Sequence, residues 1–272
     1  MLRFGRQWNS NQVDDPNTTT IDYDYHLNSH SVTGAAVALP VIFERKMPAS
    51  LLDVGCGVGT WLRAALDLGV KEVAGVEGVE GVRLSNEEML VDPGCVRFHN
   101  LCIPLSLDRK FDLALCLEVA EHIEKKLAPC LIRSLTKHSN WIVFSAAAPF
   151  QSGQNHVNCQ WPEYWQRLFN ENGFVCEDTF RGLFWNDMRI EPWYRQNIFL
   201  AYLDAARAGM EPRIRGMIHP EILATIIRET TEKTKSALLG TITSGKMPRS
   251  WYANTTMKVI KGKVGRYLSK MP

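Results

Sequence analysis

At 272 residues, with 45% hydrophobic and 22% charged side chains, the chain has the balance of an ordinary globular protein. Its length suits one α/β domain with an appendage, or two small domains. No apolar run is long enough to span a bilayer, and the polar start MLRFGRQWNSNQVDDPN does not read as a signal peptide, so no integral membrane segment is expected. The net charge of +2 hides an asymmetry: residues 205–272 hold thirteen Lys and Arg against four Glu, so the rest is net acidic.

Residues 1–30 are polar and turn-rich and read as an N-terminal arm without regular structure. A helix is predicted over 31–46 with Pro40 as a kink, serving either as a cover for the sheet or as a lid. Strands follow at 50–55, 72–77, 95–100, 111–118, 141–149, 174–178 and 197–203. Helices are predicted after the first strand as far as Gly69, at 80–90, over 121–138 and at 162–173. The apolar fourth strand, FDLALCLE, fits the centre of a parallel sheet. The expected architecture is α/β: a doubly wound, seven-stranded, mostly parallel sheet with its last strand antiparallel and helices on both faces. Residues 31–204 form that domain, and 205–272 form a basic helical C-terminal extension. The seven scattered cysteines, with no C-x-x-C, predict free thiols in a reducing, cytoplasmic setting.

The chain is organised around LLDVGCGVGTW, residues 51–61. A buried strand runs into Asp53, glycines recur at 55, 57 and 59, and a helix opens at Thr60. Glycine lets the backbone turn tightly and come close to a ligand, and a helix N-terminus presents free N–H groups. In an open α/β sheet the ligand lies beyond the carboxyl ends of the strands. Glu77, which ends the second strand, flanks this turn and can accept from two ribose hydroxyls. A nicotinamide dinucleotide would want G-x-G-x-x-G, but the position of its third glycine is Thr60. Asp53 would also repel a pyrophosphate. A cationic nucleoside suits the pattern better.

The D-x-G-x-G-x-G pattern, Glu77, the FDL that opens the fourth strand and LEVAEHI (117–123) together resemble the class I S-adenosylmethionine-dependent methyltransferases. The resemblance covers about residues 30–203 and is similar in kind to bacterial small-molecule and glycan methyltransferases. It implies S-adenosyl-L-methionine as cofactor. Asp53, Gly55, Cys56, Gly57 and Gly59 would form the cofactor turn, and Glu77 would hold the ribose. Asn100 stands where the family usually has an acid for the adenine amino group, with Leu101 beside it. Leu117 and Glu118 would border the methionine portion.

Methyl transfer to a hydroxyl needs an acceptor in line with the methyl group and a base for its proton. His156, in GQNHVNCQW, is one candidate, with a hydrogen-bonded loop histidine as the plain alternative. His122 and Glu121 are the second choice, with packing and helix-terminus roles as theirs. Trp161, Trp185, Trp193, Tyr194 and Arg195 are read as lining for a small-molecule or sugar acceptor, or else as core. Beyond Glu121 with His122, and the isolated Asp178 and Asp187, no carboxylate cluster stands out, so no metal is expected.

The basic segment 250–270 interleaves Lys258, Lys261, Lys263, Arg266 and Lys270 with apolar residues and reads as a dimer arm or solvated appendage. The net acidic core argues against a nucleic-acid target. Other readings are an N-methyltransferase, a nucleic-acid methyltransferase or a non-catalytic scaffold. LEVAEH in place of an N/D-P-P-Y/F motif weighs against the adenine and amide N-methylating branch.

Overall fold

The computed structural model describes residue 23 and residues 31–79 and 89–268, with side chains described as far as residue 263. The predicted arm, Tyr23 apart, and nearly all of the helix expected at 80–90 lie outside the described residues. So do the side chains of Arg266 and Lys270. Two compact units are present, residues 1–223 and 224–272.

The first unit is built on strands β1 (Ser50–Val54), β2 (Glu72–Glu77), β3 (Val96–Phe98), β4 (Leu113–Leu117), β5 (Trp141–Ser145), β6 (Phe174–Glu177) and β7 (Phe199–Leu203). Their spatial order is β3-β2-β1-β4-β5-β7-β6. All pairings are parallel except those of β7, which runs antiparallel to β5 and β6. The helices are α1 (Val32–Phe43), α2 (Thr60–Asp67), α3 (Ala128–His138), α4 (Pro162–Asn170), α5 (Thr179–Phe184) and α6 (Pro192–Asn197).

Successive strand residues point to opposite faces, so one strand feeds two cores. Leu52, Val54, Ala114, Cys116 and Phe144 pack with Leu131 and Leu135 of α3 and Trp165 and Phe169 of α4. Leu51, Leu113, Leu115 and Val143 pack on the other face with Leu39 and Ile42 of α1, Leu62 of α2 and Phe180 and Phe184 of α5. Every residue of β1 and β4 is buried, as a strand covered on both faces requires.

Several boundaries differ from expectation. The helix predicted over 121–138 begins only at Ala128, after a single tight turn at Ala120–His122. Pro129 has no N–H to give the carbonyl of Lys125, so it is tolerated only in a first turn. That carbonyl accepts from Tyr164 Oη instead, at 3.3 Å. The first helix is shorter than predicted. It is capped by Ser31, whose Oγ accepts from Thr33 N, and it contains Pro40. Its buried face belongs to the second core, the covering arrangement rather than a lid. The last strand starts at Phe199 because residues 192–197 wind into α6.

The second unit comprises most of α7 (Pro220–Thr243) and α8 (Arg249–Leu268), joined internally by Tyr252 Oη donating to Ile242 O at 2.7 Å. Among the described residues no helix is long and apolar enough to cross a membrane.

Candidate active site

The glycine turn lies between β1 and α2. Gly55, Gly57 and Gly59 have φ of +84°, +52° and +85°, the left-handed region that residues with a Cβ rarely adopt. Space also forbids a side chain at two of them. A Cβ on Gly55 would lie 2.2 Å from Val119 Cγ2, and one on Gly59 2.8 Å from Val91 Cγ2. The N–H groups of Gly55 and Cys56 both donate to Val76 O, at 2.7 and 3.2 Å, tying the turn to β2.

Glu77 completes that tie. Its Oε2 accepts from Gly57 N at 2.7 Å, and its Oε1 accepts from Gly78 N at 2.8 Å and Val79 N at 2.9 Å. One carboxylate therefore orients the turns after both β1 and β2. Asp53 is buried within β1, and its carboxyl is pushed up to about 8, first by burial and then by the charge of Glu77. The Cys56 thiol is raised by the same causes and donates to Gly57 O at 3.7 Å.

Asn100 closes its own turn: Oδ1 accepts from Cys102 N at 2.9 Å. Its neighbour Leu101 is buried against Gly78, where a Cβ would meet Leu101 Cγ at 3.1 Å.

Beyond β4 the backbone turns sharply. Leu117 is buried, and Glu118 adopts a left-handed φ of +55°. Its N–H donates to Ser145 O and Oγ, both at 3.0 Å. The Glu118 carboxylate accepts from Gln151 Nε2 at 2.9 Å and Asn197 Nδ2 at 3.0 Å. Asn197 Nδ2 also donates to Gln151 Oε1 at 2.9 Å, which closes the network. Burial raises the Glu118 carboxyl, and these amides and Ser145 oppose the rise.

Three residues further on, the tight turn presents Glu121 and His122. Glu121 has no exposed surface, and neither of its carboxylate oxygens makes a hydrogen bond of good geometry. Burial and the neighbouring Glu118 push its carboxyl well up. His156 Nε2 faces it, 4.0 Å from Oε1. His156 Nδ1 is 3.0 Å from Gln151 O, which assigns the proton to Nδ1 and leaves a lone pair on Nε2. The rings of His122 and His156 meet edge to face, with centroids 5.1 Å apart. Burial depresses His156, and it lowers His122 to about 4 with His156 adding to the shift. Both imidazoles are therefore neutral at pH 7. The structure thus brings together the two catalytic candidates that the sequence left 34 positions apart.

The five residues read as acceptor lining have varied surroundings. Tyr194 is half-buried, with its Oη accepting from Trp61 Nε1, just after the glycine turn, at 3.4 Å and the rings edge to face. Arg195, only 2% exposed, forms an ion pair with Glu221 at 2.9 Å, which makes it structural rather than open to a ligand. Trp185 packs on the ring of His219, and Trp161 lies against Gly216, where a Cβ would meet its ring at 2.5 Å. Trp193 is half-buried next to Tyr194. Sequence reasoning missed Gln151, Val119 and Trp61. Only Trp61, directly after the glycine turn, carried a local signal.

A sequence model of the methyltransferase domain matches residues 33–186. No curated protein matches the chain. Among solved structures, the sugar N-methyltransferase KedS8 from Streptoalloteichus sp. is 16% identical, with a TM-score of 0.50 over 71% of this chain and 100% of that one. CalS10, an amino pentose methyltransferase from Micromonospora echinaspora, is 16% identical, with a TM-score of 0.49 over 68% of this chain and 99% of that one. The methyltransferase domain of bacterial CtHen1 is 13% identical, with a TM-score of 0.49 over 64% of this chain and 98% of that one. With more than half of its length matched by that model, the chain belongs to the methyltransferase-domain family and is an S-adenosylmethionine-dependent methyltransferase.

Proposed function

We propose that this enzyme methylates a hydroxyl of a small-molecule or glycan acceptor. One observation carries the reading. Val119 fills the space beside Gly55, and the same short segment then presents Glu121 and His122. The cofactor turn and the Glu121–His122–His156 cluster are therefore neighbours.

S-adenosylmethionine supplies an activated methyl group on a sulfonium, so the protein's task is placement. Gly55, Gly57 and Gly59 give the backbone its close approach, with Asp53 as the balancing negative charge and Glu77 toward the ribose. Leu117 and Glu118 border the methionine end, and Asn100 and Leu101 the base. Gln151 and Asn197 fix the Glu118 carboxylate so that it does not swing into the methyl path. The acceptor hydroxyl is activated at the cluster, where a carboxylate and imidazole lone pairs converge on a point that can hold a proton or a cation. Phe150 and Val157, both exposed in the loop that carries His156, offer apolar surface to the acceptor.

Calorimetric titration with S-adenosylmethionine tests the cofactor half; no binding at millimolar cofactor would sink it. For the acceptor half, His156→Ala is expected to keep cofactor affinity and lose roughly 100-fold or more in turnover. Full turnover in that variant would remove the cluster from the reaction.

A further inference from the structure

We infer that Glu121, His122 and His156 form the binding site of one divalent transition-metal cation; its role in catalysis rests on the methyl-transfer reading above, whereas its binding does not. Each residue offers one ligand atom, and the three atoms lie within 4.8 Å of one another. Metal–ligand bonds of about 2.0–2.2 Å place ligand atoms roughly 3.0–3.5 Å apart, so the three need draw in by only about 1 Å.

Glu121 is fully buried, and neither of its oxygens makes a hydrogen bond of good geometry. A second buried carboxylate, Glu118, stands beside it. Among the described residues no lysine or arginine lies within 4.0 Å of either. Two adjacent buried carboxylates are costly unless a proton or a cation sits between them, and a bound cation takes the proton's place.

The imidazoles are set as ligands. Gln151 O holds His156 Nδ1, so the Nε2 lone pair faces Glu121, the carbonyl–histidine arrangement that orients metal ligands elsewhere. His122 Nδ1 is buried without a partner. The loop bearing His156 is fastened to the ligand turn itself, because Val157 N and Asn158 N both donate to Glu121 O at 2.9 Å. Register between the two segments is thus fixed by the main chain. Two imidazole nitrogens with one carboxylate favour Zn²⁺, Mn²⁺, Fe²⁺ or Co²⁺ over Mg²⁺, which prefers oxygen. Three protein ligands leave room for one oxygen of the acceptor. The hydroxyl proton then leaves to solvent, the oxygen forms its bond to the methyl carbon, and the carbon–sulfur bond breaks with its electron pair going to sulfur.

The test uses tag-free, chelator-stripped full-length protein and Co²⁺ as the probe. One Co²⁺ per chain is expected by calorimetry, with visible absorption bands that Zn²⁺ abolishes. Glu121→Gln and His156→Ala should each weaken binding by at least about tenfold while S-adenosylmethionine affinity holds. His122→Asn carries the test if either variant fails to fold, and Asp187→Asn should bind as the parent does. The inference is overturned if the parent binds neither Co²⁺ nor Mn²⁺ at about 1 mM, or if the ligand variants bind unchanged. Cofactor binding without Co²⁺ binding would sink the metal site and leave methyl transfer standing. Co²⁺ binding without cofactor binding would do the reverse.

Discussion

Replacing Gly55 with alanine loads two separate penalties onto one methyl group. The φ of +84° belongs to the left-handed region, which costs a residue with a Cβ about 1–2 kcal/mol. The new Cβ would also stand 2.2 Å from Val119 Cγ2, and forced overpacking of this kind costs about 1–3 kcal/mol. Together they come to about 2–5 kcal/mol. If the loss falls on cofactor affinity, the Kd for S-adenosylmethionine rises by about 30-fold or more. If it falls on stability, Tm drops by about 2–4 °C per kcal/mol. Calorimetric titration and thermal melting of the same samples separate the two. Val119→Ala in the Gly55→Ala background removes the overlap and leaves the backbone strain. The cycle should therefore return about 1–3 kcal/mol and no more. The reasoning fails if Gly55→Ala binds cofactor within threefold of the parent with unchanged Tm. It fails equally if Val119→Ala restores everything.

Other expectations follow from the same geometry. Asp53, raised from 3.8 to about 8, holds a proton in the folded chain that the unfolded chain releases. Stability of the ligand-free protein should therefore fall as pH rises from about 4 to about 8 and then level off. Binding of a cationic cofactor favours the ionised form, so affinity should rise toward pH 8, and Asp53→Asn should flatten both profiles; a parent profile already flat across that window refutes the shift. Asn197→Ala removes a donor held at 3.0 Å from a buried carboxylate and should cost about 1.5–3 kcal/mol by denaturant titration. Asn197→Asp should be worse, since it puts a second negative charge beside Glu118, and equal stability of the two variants would contradict that account. Phe144, fully buried, meets Trp165, Phe169 and Phe199 with ring centroids 5.3–5.4 Å away. Truncation to alanine should cost about 3–5 kcal/mol, and an unchanged urea midpoint would place the core elsewhere.

The sheet could be read from the sequence because its strands are buried on both faces and so appear as unbroken apolar runs, LLDV and LALCL most clearly. The cofactor turn was legible for a different reason: three left-handed positions in five residues admit little but glycine. What the sequence hid lies in contacts between distant segments. Nothing local marks Asn197 or Gln151 as partners of Glu118, 79 and 33 residues away. Arg195 and Tyr194 looked like pocket lining because aromatic and cationic side chains suit sugars. The fold uses them instead for an internal ion pair and for packing on Trp61. Glu121 and His122 looked incomplete as metal ligands, since the third donor comes from a loop beyond β5.

The insertion of β7 between β5 and β6 bears on how the chain is made. During synthesis β6 leaves the ribosome with no neighbour to join, because its place in the sheet exists only after residues 199–203 have been laid against β5. The β1–β2–β4–β5 portion, with its glycine turn, can form from the nascent chain alone. The Asn197 that steadies Glu118 arrives only with the step that admits β7 and lets β6 dock. A chain cut short before residue 203 would therefore carry the glycine turn without a finished partner set for Glu118, and protease sensitivity of such truncations should be confined to β6 and the segment after it.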